Sequence, residues 1–285
     1  MAARASTSAA VLAVVIAALP ACQGDESSRA AAPSVAATTS AAPTTASSTS
    51  PAPTPSHEPT KQQAKPERKL PAAVSNGPYR PRIDPDRFTT KIDNPYYPLE
   101  PGTTYTFEGV AAGGQETDIV SVTHQTKVVM GVRCVVVRDE VRTNGALTEL
   151  TYDWYAQDDD GNVWYFGEDS HEYSGGTPTT AYGSWRAGVD GAQPGIVMPG
   201  TPARGQRYRQ EYRAGQAEDM AEILRLNDDA KVPYDVFHDV VVTKDFSPLE
   251  PGIIEHKYYA SGVGVVQELL VRGGEEVSRL VRVRH

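Results

Sequence analysis

From residue 81 onward, turn-forming residues punctuate the chain every eight to fifteen positions, and the runs between them are rich in Val, Thr and Tyr with partial alternation of apolar and polar side chains. A period of two is the mark of a strand with one buried face. The pattern predicts strands near 103–109, 117–129, 132–142, 147–158, 162–169, 179–186, 206–213, 220–227, 238–246, 253–260, 263–272 and 276–283. A helix over 216–226, within GQAEDMAEILRL, competes with the strand at 220–227. One short N-terminal helix is expected in DPDRFTTKI, where Asp84 suits the cap and Pro85 the first helical position. The fold class is therefore mainly β.

The segment YDWYAQDDDGNVWYFGED, residues 152–169, sets Asp158, Asp159 and Asp160 between two aromatic clusters. Read as an aspartate-based calcium loop starting at Asp158, it has Val163 where the sharp turn needs Gly and Asp169 in place of the closing Glu. The template fails. Asp160-Gly161 between aromatic runs is instead a hairpin signal, because Asp and Gly tolerate the positive φ of a tight connection.

The chain also matches itself. Trp154-Tyr155-Ala156 aligns with Tyr258-Tyr259-Ala260, GVRCVVVRDE with VFHDVVVTKD, and PGTTYTFEG with GQRYRQEY, at offsets near 103 residues. A diverged duplication is inferred, each half a meander of about five antiparallel strands, since short turns join antiparallel neighbours. Two such halves make one large curved antiparallel sheet, a half-barrel or a barrel, with a concave face.

Charge and composition divide the chain. Residues 82–285 hold 20 Lys+Arg against 32 Asp+Glu, and an acidic body repels phosphate backbones, which excludes a nucleic-acid partner. The N-terminus, MAARASTSAAVLAVVIAALPAC, has Arg4, an apolar run to about Leu19 and then small residues, the layout of a signal peptide over residues 1–21 rather than of a membrane span. Its end, Leu19-Pro20-Ala21-Cys22, resembles the lipobox of bacterial lipoproteins. That resemblance implies lipidation of Cys22, with palmitate among its acyl chains, and a membrane-lipid partner on the extracytoplasmic side. An ordinary cleaved signal is the alternative. Residues 22–80 are dominated by Ala, Pro, Ser and Thr from Ala31 to Thr60, too poor in apolar side chains to offset the cost of ordering, so a disordered tether is expected ahead of a β domain at 81–285.

Chemistry is harder to place. Cys134 in RCVVV reads as a buried inert thiol, because a reactive one needs nearby positive charge and access. The pairs His171-Glu172, His238-Asp239 and Glu255-His256 are adjacent on strands and so face opposite ways, which gives no metal template and no implied cofactor. Glu168, Glu211, Glu255 and Asp219 are candidate carboxylates for a secreted hydrolase, with solvated strand faces as the plainer reading. No catalytic residue is assigned. Trp154, Trp164, Tyr165, Trp185 and Tyr258 are the candidate ligand-binding set, as the aromatic lining of a concave face for an apolar or sugar-like guest. The Gly- and Pro-rich connection 183–205 reads as a long loop over a cavity mouth. In anchoring and architecture the chain resembles the half-barrel carriers among bacterial lipoproteins, and its DWYAQDDDGNVWYFGE and PLEPG segments resemble a group of secreted bacterial domains from which no activity carries over. The expected function is ligand or partner binding by a membrane-anchored lipoprotein, with hydrolase and non-catalytic envelope scaffold as alternatives.

Overall fold

The computed structural model describes residues 79–285 other than 112, 181 and 182; the signal-like segment, Cys22 and the tether up to residue 78 lie outside the described residues. The strands are β1 Phe88–Thr89, β2 Thr104–Ala111, β3 Gly114–Val129, β4 Val132–Thr143, β5 Ala146–Asp158, β6 Val163–Ser174, β7 Thr177–Thr180, β8 Trp185–Arg186, β9 Gln193–Met198, β10 Arg207–Arg209, β11 Glu211–Tyr212, β12 Met220–Lys231, β13 Val236–Phe246, β14 Ile254–Ala260, β15 Gly264–Arg272 and β16 Val277–Arg284. They form one sheet in the order β10-β12-β13-β14-β15-β16-β2-β3-β4-β5-β6-β9-β11, with β1 beside β5 and with β7 and β8 beside β6. Two meanders, β2 to β6 and β12 to β16, are therefore joined through β16 and β2.

The order starts on β10 and ends on β11, and only Gln210 separates those two strands. Both ends of the sheet thus arrive at the segment 207–212, and the sheet is a nearly closed antiparallel barrel. Closure leaves few unpaired backbone groups, which is how a long sheet avoids exposed edges.

Two expectations change, and one rival reading drops out. Instead of a helix across 84–92 there is a single 3-10 turn, Pro85–Arg87, whose cap is Asp84 as its side chain suits, with the Asp86 N–H at 3.4 Å. The chain is extended again at Phe88, whose ring packs edge-on against Phe166 and Trp164. Burial of that aromatic on the barrel's outer face outweighs local helix propensity. The rival helix at 216–226 is absent, its place taken by β12. The connection 183–205 is not one long loop, because Gln193–Met198 is a wall strand with Ile196, Val197 and Met198 buried. Its glycine is there for contact, not flexibility: a Cβ on Gly195 would lie 2.3 Å from the backbone of Gln210.

Register fixes which side chains share the inner face. One ladder of opposed residues runs Tyr105, Val120, Asp139, Thr151, Ser170 across β2 to β6, and the next runs Val137, Asp153, Glu168, Trp185 across β4, β5, β6 and β8. In the second meander the corresponding ladder is Thr243, Lys257, Glu268, Ser278. The barrel interior is consequently polar and mostly acidic in its middle.

Candidate functional site

The segment between Ile92 and Leu99 covers one end of the barrel. Leu99 donates its N–H to Ile92 O at 3.0 Å, the Gly262 N–H meets Pro95 O at 2.7 Å, and Asn94 Nδ2 donates to Gly161 O at 2.8 Å and to Pro199 O at 3.2 Å. Gln157 Oε1 accepts the N–H groups of Asp93 and Asn94. These bonds tie the segment to hairpin ends of both meanders and set Tyr97 inward, 6% exposed. Its ring lies 5.7 Å from that of Tyr155 and 6.4 Å from that of Tyr259.

Beneath this roof is a pocket with about 30 Å³ of free space, lined by Tyr97, Pro98 and Leu99 from the roof and by Tyr105, Phe107, Val120, Val137, Asp139, Asp153, Tyr155 and the turn Val263–Val265. That volume holds about two waters, at roughly 10–15 Å³ each. Its wall is mostly apolar, with the hydroxyls of Tyr97, Tyr105 and Tyr155 and two carboxyls, Asp139 and Asp153, which are 7% and 4% exposed.

Both acids belong to a larger buried set. Asp118 and Asp139 hydrogen-bond to each other, so one of them holds a proton; burial first, and for Asp118 then the neighbouring Asp139, pushes each above the ordinary carboxyl range. The Tyr165 hydroxyl lies 2.8 Å from Asp153 Oδ1 and 3.1 Å from Glu168 Oε2. A single hydroxyl proton serves only one of them, and burial pushes both acids well up. Glu149 is raised to about 7, by burial and then by Asp139, although Thr151 donates to it at 2.9 Å and Ser170 at 3.3 Å. In the second meander the central residue is a cation: Lys257 Nζ sits 3.3 Å from Glu255 and 3.4 Å from Glu268, and its side chain is 4% exposed. Burial alone would depress Lys257, but Glu255, Glu268 and Asp245 together raise it.

The aromatic candidates divide between the two faces. Tyr165 and Trp185 are inside, edge to face at 5.3 Å, and Tyr165 stacks on Tyr155 at 4.9 Å. Trp154, Trp164 and Tyr258 alternate to the outside. Lys127 Nζ sits 3.4 Å from the Trp154 ring centroid, and Trp164 Nε1 donates to Asp158 Oδ2 at 2.8 Å. The five residues therefore do not converge. The inward members of the Trp154-Tyr155 and Tyr258-Tyr259 pairs are the second ones; Tyr155 belongs with the aromatic lining that the sequence suggests, whereas Tyr97, Asp139 and Asp153, which form the pocket with it, carry no such signal.

Other candidates resolve simply. Asp158 is saturated by the N–H groups of Asp160 and Asn162, by Asn162 Nδ2 and by the Trp164 indole, so it organises the hairpin turn. Burial pushes the Cys134 thiol up to about 12. His171 pairs with Asp169 at 3.2 Å and His238 with Asp229 at 2.8 Å, both at the surface. Among the described residues no group of three or more His, Cys, Asp and Glu side chains is placed to hold a metal, and no helix is long and apolar enough to cross a membrane.

No protein-family model and no curated protein matches the chain. It is similar to the crystal structure of a protein from Bacteroides fragilis described as exported, with a YMCC-like fold, at 14% identity and a TM-score of 0.41 over 67% of this chain and 99% of that one. It is also similar to a protein from Parabacteroides distasonis described as a lipoprotein, at 11% identity and a TM-score of 0.37 over 66% of this chain and 98% of that one.

Proposed function

We propose that this chain is an extracytoplasmic lipoprotein, held to the membrane through Cys22, whose barrel binds a small guest in the pocket under Tyr97. The observation that carries the reading is the pocket itself: a nearly closed sheet with a hollow walled by both meanders and bordered by Tyr97, Pro98 and Leu99 of the segment 92–99. A sheet serving only as scaffold has no use for two buried carboxyls lining a hollow, since burying such groups costs stability. The free space suits a guest, or part of a guest, of a few non-hydrogen atoms. A whole saccharide or acyl chain needs the roof to move.

The carboxylate-hydrolase alternative draws less support. Cleavage by a carboxyl pair needs one group raised as the acid and one left ionised as base or nucleophile. Asp118, Asp139, Glu149, Asp153, Glu168 and Glu211 are all displaced upward, with burial the first cause in each. We also read the runs β2 to β6 and β10 to β15 as a diverged duplication. Moved along by 103 residues, β2, β3, β4 and β5 fall on β10, β12, β13 and β14, which supports the reading.

Native mass spectrometry of the full chain from its own host tests both parts. The expected spectrum carries the acyl mass on Cys22 and a low-mass adduct that acid unfolding releases. An unacylated chain removes the anchor, and a bare folded chain removes the guest.

A further inference from the structure

We infer that the pocket under Tyr97 takes the ammonium group of a small alkylammonium ion, held by Asp139 and Asp153 and enclosed by Tyr97, Tyr105, Phe107 and Tyr155. The inference rests on reading the pocket as a guest site and names the chemistry of the guest.

Three observations point to a cation. First, Asp139 is more than nine-tenths buried, lines the pocket, and its Oδ1 has no hydrogen-bond partner among the described residues; Asp118 Oδ1 behind it has none among them either. Leaving such an acceptor unmet in a low-dielectric interior is costly, and an N–H donor in the pocket would satisfy it. Second, acids dominate the surroundings of Asp139. Asp118 and Glu116 face it from β3, Glu149 and Asp153 from β5, and Glu140 neighbours it on β4. The cations are Arg138, which is ion-paired with Glu140, and Lys257, which is ion-paired with Glu255 and Glu268.

Third, the second meander contains its own version of the arrangement. Val241 opposes Tyr259 and Thr243 opposes Lys257, which opposes Glu268; in the first meander Val135 opposes Tyr155 and Val137 opposes Asp153, which opposes Glu168. Where one meander places a lysine ammonium against a glutamate, the other places an aspartate against a second acid, joined by the neutral Tyr165 hydroxyl, with the pocket on the aspartate's side. A guest ammonium supplies the missing charge. The aromatic walls favour an organic cation, because ring faces attract ammonium groups and alkyl substituents fill apolar volume, whereas a bare inorganic ion would leave most of its coordination unmet. Without the guest, protons neutralise the acids. Binding therefore displaces protons and tightens as pH rises.

The test uses the purified full chain and ethylammonium chloride, with ethanol as the uncharged analogue and KCl at matched ionic strength. A ligand of three non-hydrogen atoms binds no tighter than about millimolar, so titration runs to about 20 mM. Ethylammonium is expected to raise the thermal midpoint saturably at about pH 8 and less at about pH 5.5, because protons then compete for the same carboxyls. Ethanol and KCl are expected to leave the midpoint unmoved. Asp139→Asn should weaken binding at least about tenfold, the loss expected for a charge-assisted hydrogen bond. Val120→Leu, which adds one methylene to the pocket wall and leaves both acids in place, should weaken it as well and guards against a misfolded Asp139 variant. Saturable binding of ethanol in place of ethylammonium overturns the charge assignment and keeps the guest site. An equal response to KCl that Asp139→Asn removes makes the ligand an inorganic cation and overturns the organic one. No response to any probe, or a response indifferent to both substitutions, overturns the site as well.

Discussion

Raising the pH should destabilise this protein, because its interior holds protons that the unfolded chain would release. Glu149 shows the size of the effect. It is 2% exposed and its carboxyl is raised from 4.5 to about 7, first by burial and then by Asp139. Below about pH 4.5 both states carry the proton and the group is neutral to folding. Between 4.5 and 7 the native state keeps a proton that the unfolded state has lost, and unfolding free energy falls by about 1.4 kcal/mol per pH unit. Above 7 the loss is complete, about 3 kcal/mol from this residue by that slope. Glu116, also raised to about 7 by burial and then by Glu276, acts in the same direction. His256 opposes them, since burial and then Arg225 hold it below its ordinary value and stability from it grows with pH. Urea unfolding followed by the fluorescence of Trp154, Trp164 and Trp185 should give a midpoint that is higher at about pH 5 than at about pH 8. Glu149→Gln retains an acceptor for Thr151 and cannot ionise, so its unfolding free energy should decline by about 2.5 kcal/mol less over the same range. A wild-type midpoint that rises toward pH 8, or an unchanged slope in Glu149→Gln, would refute the assignment of a neutral interior.

Other substitutions probe the frame. Lys257→Met removes the cation from between Glu255 and Glu268 and should cost about 3–5 kcal/mol near neutral pH, as loss of one buried partner does, with the deficit shrinking on acidification in the same urea assay. Gly195→Ala drives a Cβ into the Gln210 backbone and should cost at least about 1–3 kcal/mol by overpacking. Gly252→Ala, which meets nothing within 4 Å, should stay within about 0.5 kcal/mol and serves as its control. Cys134, fully buried, should resist a thiol reagent in the folded chain and react at the rate of unfolding. Prompt labelling would place it in an accessible site instead.

How far the sequence could be read follows from which signals are local. Turn chemistry and alternation placed most wall strands within a few residues, because one face of each meets the interior and the other meets solvent. β9 escaped because Gly195 and Pro194 look like loop residues until a strand crossing at van der Waals distance gives the glycine a reason. The helix at Asp84 stopped after one turn because Phe88 is claimed by Phe166 and Trp164, a contact across more than seventy residues. Inner and outer faces could not be separated in CVVV or in the paired aromatics, since residues of both parities are apolar there. The carboxyls were read as solvated strand faces, yet Glu168 and Glu211 are 1% and 2% exposed. Burial of acids follows from barrel closure, which no local pattern encodes.

That closure also explains why so many acids are tolerated together. A sheet of two meanders that meets itself at segment 207–212 encloses every inward side chain, so each ionisable group must be neutralised by a proton, a partner or a ligand. Lys257 does this for Glu255 and Glu268. Tyr165, Thr151 and Ser170 offer hydrogen bonds to Asp153, Glu168 and Glu149, but a hydroxyl supplies no charge. The first meander is thus left to hold protons or to admit a cation, and the pocket lies on its side of the barrel, against Asp139 and Asp153. If the acids served folding alone, replacing Asp139 and Asp153 by Asn should relieve the pH dependence at no loss of function. If they serve a guest, the same pair of changes should stabilise the barrel at about pH 8 and abolish its response to ethylammonium, stability and binding moving in opposite directions as they do where a site is kept strained for its ligand.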